Sequence, residues 1–392
     1  MIHKFILFVV FFSLSLSSFA DSKLQLMFEK GMEFSTSGAF ILAAKEYRKM
    51  LAVDPLLQRP RIELAYALYK SGDYEGARYH FEKVLSTLES PNVRLNIKKI
   101  LSKIKQELPQ INLTVGFAND SNPNQKTSSN KVIIGGLEYD LNSIQDKEKI
   151  GYEIKINAKI PIIAKDKSFI NANIEHTDYS GNDNAVSYLA TSYGQHFNIN
   201  TRSSITPEIG LHRFIYHSNT LYSGKTAGVN YYNSIDETTS AGLDFRFLEY
   251  KYTDYLNLNG DKKIITANLS KSIAPNNRLD IQLSHLDTNA VDKTSSYKQP
   301  QLRITNTREF KGGWTLGLTG TLNTKKYIKE SPFFGIKRND KTKSIELSVI
   351  NSLFNIKGLS PKIKFGIIKN SSNINLYEFN RRYYKLEFTK EF

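Results

Sequence analysis

Apolar and polar residues alternate along most of this 392-residue chain, from about Gln110 to the terminal Phe392. In the clearest stretch, 150–160, apolar side chains at even positions alternate with mostly polar ones at odd positions. Similar alternation returns at about 170–175, 243–247, 279–283, 314–318, 345–349 and 363–367. Successive side chains of a strand point to opposite faces, so this period of two predicts a series of β-strands. A soluble β-sandwich would show the same alternation, so the pattern alone does not decide what surrounds the sheet.

Strand length and connection length favour a transmembrane antiparallel β-barrel of the outer-membrane type. The predicted strands span about ten residues or more, which a tilted strand needs to cross the hydrocarbon core of a bilayer. Short connections at 164–167, 198–203 and 274–278 alternate with long polar ones at 254–262, 287–296 and 329–342. Outer-membrane barrels alternate short periplasmic turns with longer extracellular loops in the same way.

The end of the chain supports the same fold. Tyr384, Leu386 and Phe388 share one face of the last predicted strand, and the chain closes with Phe392. A terminal aromatic residue on such a strand resembles the signal that the bacterial barrel-assembly machinery recognises. We expect this strand to pair with the first one, because a closed barrel leaves no unpaired backbone edge in lipid.

The number of strands follows from a parity argument. Fifteen segments from Gln110 onward have strand character, yet both ends of the barrel domain must lie on the periplasmic side, which requires an even count. The weakest segment is 131–141, where Gly135 and Gly136 interrupt the apolar face. We therefore predict fourteen strands, with 131–141 in a long first loop.

Residues 24–107 show a helical pattern that repeats after 34 residues. Eight positions of the first unit, from Gly31 to Leu51, match eight positions of the second unit, from Ala65 to Leu85. This offset is typical of tetratricopeptide repeats, and a further amphipathic helix over about 93–104 is expected to cap the second unit. Pro109 ends the helical part.

The first twenty residues have the features of a secretory leader. Lys4 precedes the apolar run 5–16, and Ser18-Phe19-Ala20 forms a small-x-small cleavage site. The domains predicted are thus a signal peptide at 1–20, a periplasmic tetratricopeptide-like domain at 21–108 and an outer-membrane barrel at 109–392. The absence of cysteine excludes disulfides and thiolate chemistry.

The polar face of the strands and the net charge bear on partners. Both signs of charge occur on the polar face (Glu153, Lys155, Glu175, Asp244, Arg246, Asp280, Lys364), which indicates a mixed polar lumen rather than a selective ion filter. The net charge of +15 comes from scattered lysines, which we interpret as a solvated surface near anionic lipopolysaccharide. An exported barrel meets no nucleic acid, so we expect no nucleic-acid partner. Tyr231, Tyr232, Tyr250, Tyr252 and Tyr383 are predicted to form interfacial aromatic girdles.

A peptide-docking surface is the main candidate site. Arg59, Tyr66, Tyr69 and Lys70 occupy helix positions that usually face the concave groove of such repeats. An alternative is that Tyr66 and Tyr69 pack against neighbouring helices. The dispersed histidines form no convincing catalytic set, and no phosphate-binding loop or metal-ligand spacing is present, so we expect neither an enzyme nor a cofactor.

Two local stretches resemble a known family. Arg61-Ile-Glu-Leu-Ala, Asp73-Tyr-Glu-Gly-Ala and Pro91-Asn-Val-Arg resemble the last repeat and cap of the surface lipoprotein assembly modulators, the outer-membrane translocons of the type XI secretion system. The segment after the first strand, with Asn119, Asp120, Asn122 and Asn124, resembles the Asp-x-Asn-x-Asn segment at the start of that family's barrel. Pro123 stands where an apolar residue would be expected.

The resemblance implies delivery of a client across the outer membrane. Clients of the family are surface lipoproteins or soluble secreted proteins, and the helical domain would hold the client or a periplasmic chaperone near the pore. Two alternatives remain at this point: a polysaccharide-export porin, which also joins such repeats to a barrel, and a simple diffusion porin.

Overall fold

The computed structural model describes residues 22–85, 88, 90–134, 136–141, 148–163, 167–180, 185–355 and 359–389. The predicted leader and the terminal Phe392 lie outside these residues. Five helices come first: α1 (22–36), α2 (Phe40–Val53), α3 (Gln58–Lys70), α4 (Tyr74–Leu85) and α5 (Pro91–Glu107). None of the helices within the described residues is long and apolar enough to cross a membrane.

The helical domain has its own apolar core. Ala43 and Ala77, which occupy matching positions of the two repeat units, are fully buried, as is Tyr47, and Phe81 is nearly so. Gly38 and Gly72 have φ near +80° and +86°, a left-handed conformation that glycine adopts without a steric penalty at a helix C-terminus. The repeat in the sequence therefore corresponds to a repeat in packing, with α1–α2 and α3–α4 as equivalent pairs and α5 against the last.

Seventeen strands follow the helices within the described residues. Their bounds are β1 (Gln110–Asp120), β2 (Lys131–Ile134), β3 (Leu137–Asp140), β4 (Lys149–Ile163), β5 (Ser168–Tyr179), β6 (Val186–Gln195), β7 (Phe197–Asn198), β8 (Ser203–Tyr216), β9 (Asn219–Ser234), β10 (Thr239–Tyr252), β11 (Gly260–Ala274), β12 (Asn277–Ala290), β13 (Tyr297–Glu309), β14 (Trp314–Glu330), β15 (Lys337–Asn351), β16 (Ser360–Ser372) and β17 (Phe379–Thr389).

The large sheet is closed and has fourteen strands around its circumference, as predicted. β1 pairs antiparallel with both β4 and β17, and β6 pairs with β8, so each strand has two neighbours. The short β7 continues β6 along β8 and adds no further position around the barrel. β2 and β3 pair only with each other and form a separate hairpin in the first loop, which confirms that 131–141 does not span.

The register separates an apolar exterior from a polar lumen. Ile150, Leu243 and Leu318 are exposed on the outside, and the lumen residue Glu153 is buried. An apolar outer wall around a closed hydrogen-bonded sheet satisfies the requirements that lipid imposes on a spanning structure. The chain is therefore an outer-membrane β-barrel protein.

Four of the five tyrosines predicted to form girdles instead face the lumen. Tyr231 lies opposite the outward-facing Leu243, but Tyr232 lies opposite the inward-facing Gly242. Tyr250 and Tyr252 are on the inward parity of β10, and Tyr383 donates a hydrogen bond to Glu346 inside the barrel. The prediction was wrong for these four because proximity to a strand end was considered without the parity of each position.

The two ends of the barrel differ, and we name them by their contents. The "helix end" carries the helical domain and turns such as 199–202, 235–238 and 275–276, whereas the "loop end" carries the described part of the long first loop, 121–134, 136–141 and 148.

The prediction of a long connection at 329–342 was wrong. β14 continues to Glu330, β15 begins at Lys337, and Lys325 pairs with Asp340. Backbone pairing continues beyond the apolar band because strand hydrogen bonds do not require apolar side chains. Similarly, β8 and β9 are joined at the loop end by a tight turn in which His217 and Ser218 both have positive φ.

Candidate functional site

The predicted docking residues are divided by the fold of α3. Arg59, Tyr66 and Lys70 are exposed and lie along one stripe of the helix; Arg59 forms an ion pair with Glu63 at 2.7 Å. The Lys70 ammonium lies 5.5 Å from the centre of the Tyr66 ring. Tyr69 is half-buried, with its ring 6.0 Å from that of Tyr74. The exposed stripe is thus formed by three of the four residues.

This stripe faces away from the barrel. With 3.6 residues per turn, Arg61 lies about 200° around the helix from Arg59. Arg61 is buried against the barrel, as described next, so the stripe points in the opposite direction. A partner could therefore contact it while the helical domain is docked.

The junction between the two domains centres on a barrel carboxylate. Glu309, the last residue of β13, lies between α3 and α4. Arg61 Nη2 donates to Glu309 Oε2 at 2.6 Å, and Lys83 Nζ and the Tyr79 hydroxyl donate to Oε1 at 2.7 and 2.8 Å. The Arg61 and Lys83 side chains are only 1% and 2% exposed. Three donors of the helical domain therefore converge on one side chain of the barrel.

Burial makes this junction electrostatically demanding. Desolvation lowers the pKa of Lys83 to about 8, although Glu309 opposes that shift. Burial, together with Arg61, holds the pKa of His80 well below its usual value, so the ring is neutral and lies 3.2 Å from Arg61 Nη1. Glu309 is the ionised partner of both cations. Its loss would leave two buried positive charges uncompensated.

Two further contacts surround this centre. Arg278 of β12 lies 3.4 Å from Glu82 of α4. Glu237, in the turn between β9 and β10, lies 3.2 Å from Lys98 of α5, and the hydrogen bond from Lys98 lowers the pKa of Glu237. These pairs are partly exposed, so each contributes little to stability, but together they fix the domain at separate points of the rim.

A polar cavity of about 810 Å³ lies between the helices and the lumen wall. Arg78 and Glu82 of α4 and Lys98 of α5 line it from the helical side. The inward-facing Lys159 and Glu208 line it from the barrel side. The helical domain therefore covers the lumen at the helix end.

At the loop end, the first strand is tied to the last by a buried carboxylate. Asp120, the final residue of β1, has no exposed surface. Arg381 Nε of β17 donates to both of its oxygens, at 3.0 and 2.8 Å, and the Tyr179 hydroxyl donates to Oδ2 at 3.1 Å. The Asn122 backbone N–H also donates to Oδ1, at 3.0 Å. Asp120 thus connects three strands where the barrel closes.

Asn122 continues this connection into the first loop. Its side-chain amide donates to Lys126 O at 2.8 Å and to Asn380 O at 3.2 Å, and its Oδ1 accepts from the Lys126 N–H at 2.9 Å. Asn119 lies opposite Tyr384, while Asn124 is exposed. Of the four predicted residues in this segment, Asp120 and Asn122 therefore order the β1–β17 seam at the loop end.

The middle of the same seam carries ion pairs. Glu153 and Glu387 flank Gly116 on the two neighbouring strands. A Cβ atom at position 116 would lie close to both glutamate side chains. Lys385 binds Glu153 at 2.7 Å, and Lys364 binds Glu387 at 2.9 Å. Both carboxylates are nearly fully buried. Ion pairs at the loop end and in the middle therefore hold the seam together, in addition to its backbone hydrogen bonds.

The model of one protein family, described as "Surface lipoprotein assembly modifier", matches residues 110–392, the whole barrel. The chain belongs to this family. Surface lipoprotein assembly modifier 1 of Haemophilus influenzae is 22% identical over 384 residues, covering 93% of this chain and 76% of that protein. Surface lipoprotein assembly modifier 2 of the same organism is 21% identical over 388 residues, covering 94% and 77%.

Solved structures that resemble this chain have very different sequences. A bacterial polysaccharide outer membrane secretin has a TM-score of 0.42 at 8% identity, covering 72% of this chain and 98% of that one. The CymD monoaromatic hydrocarbon channel has a TM-score of 0.42 at 7% identity, covering 78% and 93%. Similarities at this level do not indicate what a barrel transports.

Several pairings at the site were not evident from the sequence. Glu309 and its partners are separated by more than 220 residues, and Asp120 and Arg381 by 261. Such pairs show no periodicity: the docking of the helical domain brings Arg61 and Lys83 to Glu309, and the register of the closed barrel brings Arg381 to Asp120. Within the described residues, no group of three or more histidine, aspartate or glutamate side chains is placed to hold a metal ion.

Proposed function

We propose that this protein is a translocon that delivers surface lipoproteins or secreted soluble proteins across the outer membrane. The helix end would face the periplasm and the loop end the exterior, where lipopolysaccharide surrounds the barrel. The barrel-assembly machinery would insert it, and a client protein or a periplasmic chaperone would dock on the helical domain of residues 21–108. Since the periplasm offers no nucleotide, folding of the client outside would drive the transfer.

The observation that carries this proposal is the placement of the helical domain. It stands over the lumen at one end, its core is self-contained, and its exposed α3 stripe points away from the barrel. A domain that only stabilised the barrel would not need a surface of exposed Arg59, Tyr66 and Lys70 on its far side. Docking there would raise the local concentration of a client beside the lumen.

The chemistry of the stripe suits an extended or acidic segment. Arginine and tyrosine are enriched at the centres of protein interfaces because they combine apolar area with hydrogen bonding. Lys70 lies near the Tyr66 ring and adds a second positive charge. We expect the client or chaperone to present acidic residues beside an apolar or aromatic one.

The experiment is a delivery assay with charge-matched variants. A candidate client from a neighbouring gene is co-expressed with wild-type protein, with the double variant Arg59→Glu/Lys70→Glu, or with the control Lys45→Glu/Lys99→Glu. The control changes net charge equally at exposed positions off the stripe. Exposure of the client to external protease on intact cells should fall several-fold for the stripe variant and stay near wild type for the control.

Two results would contradict the proposal in different ways. Equal client exposure for all three proteins would remove the docking role of the stripe. If the wild-type protein exposes none of several neighbouring-gene clients, transport of a polysaccharide or simple diffusion would be favoured instead.

A further inference from the structure

The helical domain closes the lumen without being built into the barrel wall. Its apolar core consists of helix residues alone. Its contacts with the barrel lie at the rim and comprise the ion pairs described above and the packing of α2 against the turn between β13 and β14, where Leu51 lines a small pocket with Phe310 and Trp314. One covalent connection, Leu108-Pro109, joins α5 to β1. A rigid body attached through a short linker and contacts confined to the rim can move without unfolding either domain.

We propose that the helical domain is a hinged lid, latched over the lumen by Glu309, and that release of this latch opens the barrel. Arg61, Tyr79 and Lys83 form the receiving pocket of the latch. The contacts of Glu237 and Arg278 hold the lid at two other points of the rim. Leu108-Pro109 is the hinge. The inference goes beyond the proposed function because it applies to any solute that passes through the lumen.

Electrostatics makes Glu309 suited to a latch rather than to permanent attachment. In the closed state, two cations and one carboxylate are removed from water, which opposes docking and is offset only while all three remain together. In the open state, the same groups regain hydration. The balance between the two states therefore depends strongly on this one carboxylate, and a small number of competing contacts can shift it.

The cavity beneath the lid shows what closure blocks. Arg78 and Glu82 of the lid line the same space as the lumen residues Lys159 and Glu208. An extended polypeptide entering from the helix end would meet α4 and α5 first. Movement of the lid is thus a condition for passage through the lumen, and ion current reports it without any client.

The first experiment locks the lid. The chain contains no native cysteine, so Lys98→Cys/Glu237→Cys introduces the only thiols, at partly exposed positions whose native side chains are in contact. Purified protein in planar bilayers is treated with a bismaleimide whose spacer contains a disulfide. Current should fall on cross-linking and return when the spacer is reduced. A current that is the same before and after cross-linking would overturn the lid.

The second experiment weakens the latch. Glu309→Gln keeps the size of the side chain but removes its charge, and the ratio of open to closed dwell times should rise on the order of tenfold or more. Glu330→Gln, at the exposed end of β14 on the opposite rim, is the control and should match wild type. Cross-linking at positions 98 and 237 should close the Glu309→Gln protein again.

An unchanged open fraction in a folded Glu309→Gln barrel would refute the latch. If that variant fails to fold, the locking experiment on the otherwise unchanged chain still tests whether the helical domain acts as a lid. The stripe variants should lose client delivery but keep wild-type ion currents. A failure of the proposed docking role can therefore be distinguished from a failure of the lid.

Discussion

Removing the charge of Asp120 should destabilise the barrel far more than removing a comparable charge elsewhere in the lumen. Asp120 is fully buried and accepts hydrogen bonds from Arg381, Tyr179 and the Asn122 backbone. In Asp120→Asn, the Arg381 guanidinium would lose its only ion-pair partner within the described residues. The perturbation is isosteric, so it tests charge rather than packing.

The magnitude follows from burial. Breaking a buried ion pair costs about 3–5 kcal/mol, because the remaining charge is left without solvent. The Arg381 side chain retains 17% exposure, so water can reach part of the orphaned guanidinium. We therefore expect the lower end, about 3 kcal/mol of unfolding free energy. The matched control is Asp244→Asn, since Asp244 pairs with Arg246 at 3.6 Å in the same lumen but with 48% of the arginine exposed. There we expect about 0–1 kcal/mol.

The assay is urea unfolding of purified protein refolded in lipid vesicles, followed by the fraction that migrates as the compact form on unheated gels. Asp120→Asn should lower the urea midpoint without changing the slope of the transition. A cycle of Asp120→Asn, Arg381→Met and the double variant should give a coupling of about 2 kcal/mol. Equal midpoints for Asp120→Asn and Asp244→Asn would refute the reasoning that the seam depends on this buried pair.

Two further predictions concern assembly and orientation. Phe392→Asp, or deletion of Phe392, should lower the amount of heat-modifiable protein extracted from membranes, because the last strand must pair with β1 to close the barrel; unchanged insertion would remove the role assigned to the terminal aromatic. A tag at Ser331, in the loop-end connection between β14 and β15, should be accessible on intact cells, whereas a tag at Asn276, in a helix-end turn, should not. The reverse accessibility would invert the orientation proposed for the barrel.

The amino-acid pattern alone determined the architecture of this protein. Side-chain alternation is a local property of strand geometry, so it shows in the sequence wherever one face meets lipid and the other faces the lumen. Parity then predicted fourteen strands and left 131–141 outside the barrel, as the separate β2–β3 hairpin confirms. The family was likewise evident from short motifs around Arg61 and Asp120.

The local pattern did not correctly predict which face of a strand some individual residues occupy. Tyr232 and Tyr250 lie near strand ends, but a shift of one position decides between lipid and lumen, and strand ends are not sharply marked in the sequence. The same uncertainty led to the wrong loop length between β14 and β15. The first error concerns the face that a residue occupies and the second the boundaries of two strands; neither concerns the existence of an element.

Only the tertiary structure decided which charges meet. Glu309 is an ordinary acidic residue at a strand end, and nothing near it in the sequence shows that Arg61 and Lys83 enclose it. Asp120 and Arg381 are likewise joined only because the first and last strands close the sheet in one register. Periodicity records the environment of a face, which is shared by many residues, whereas an ion pair depends on the relative position of two distant segments and therefore leaves no local trace.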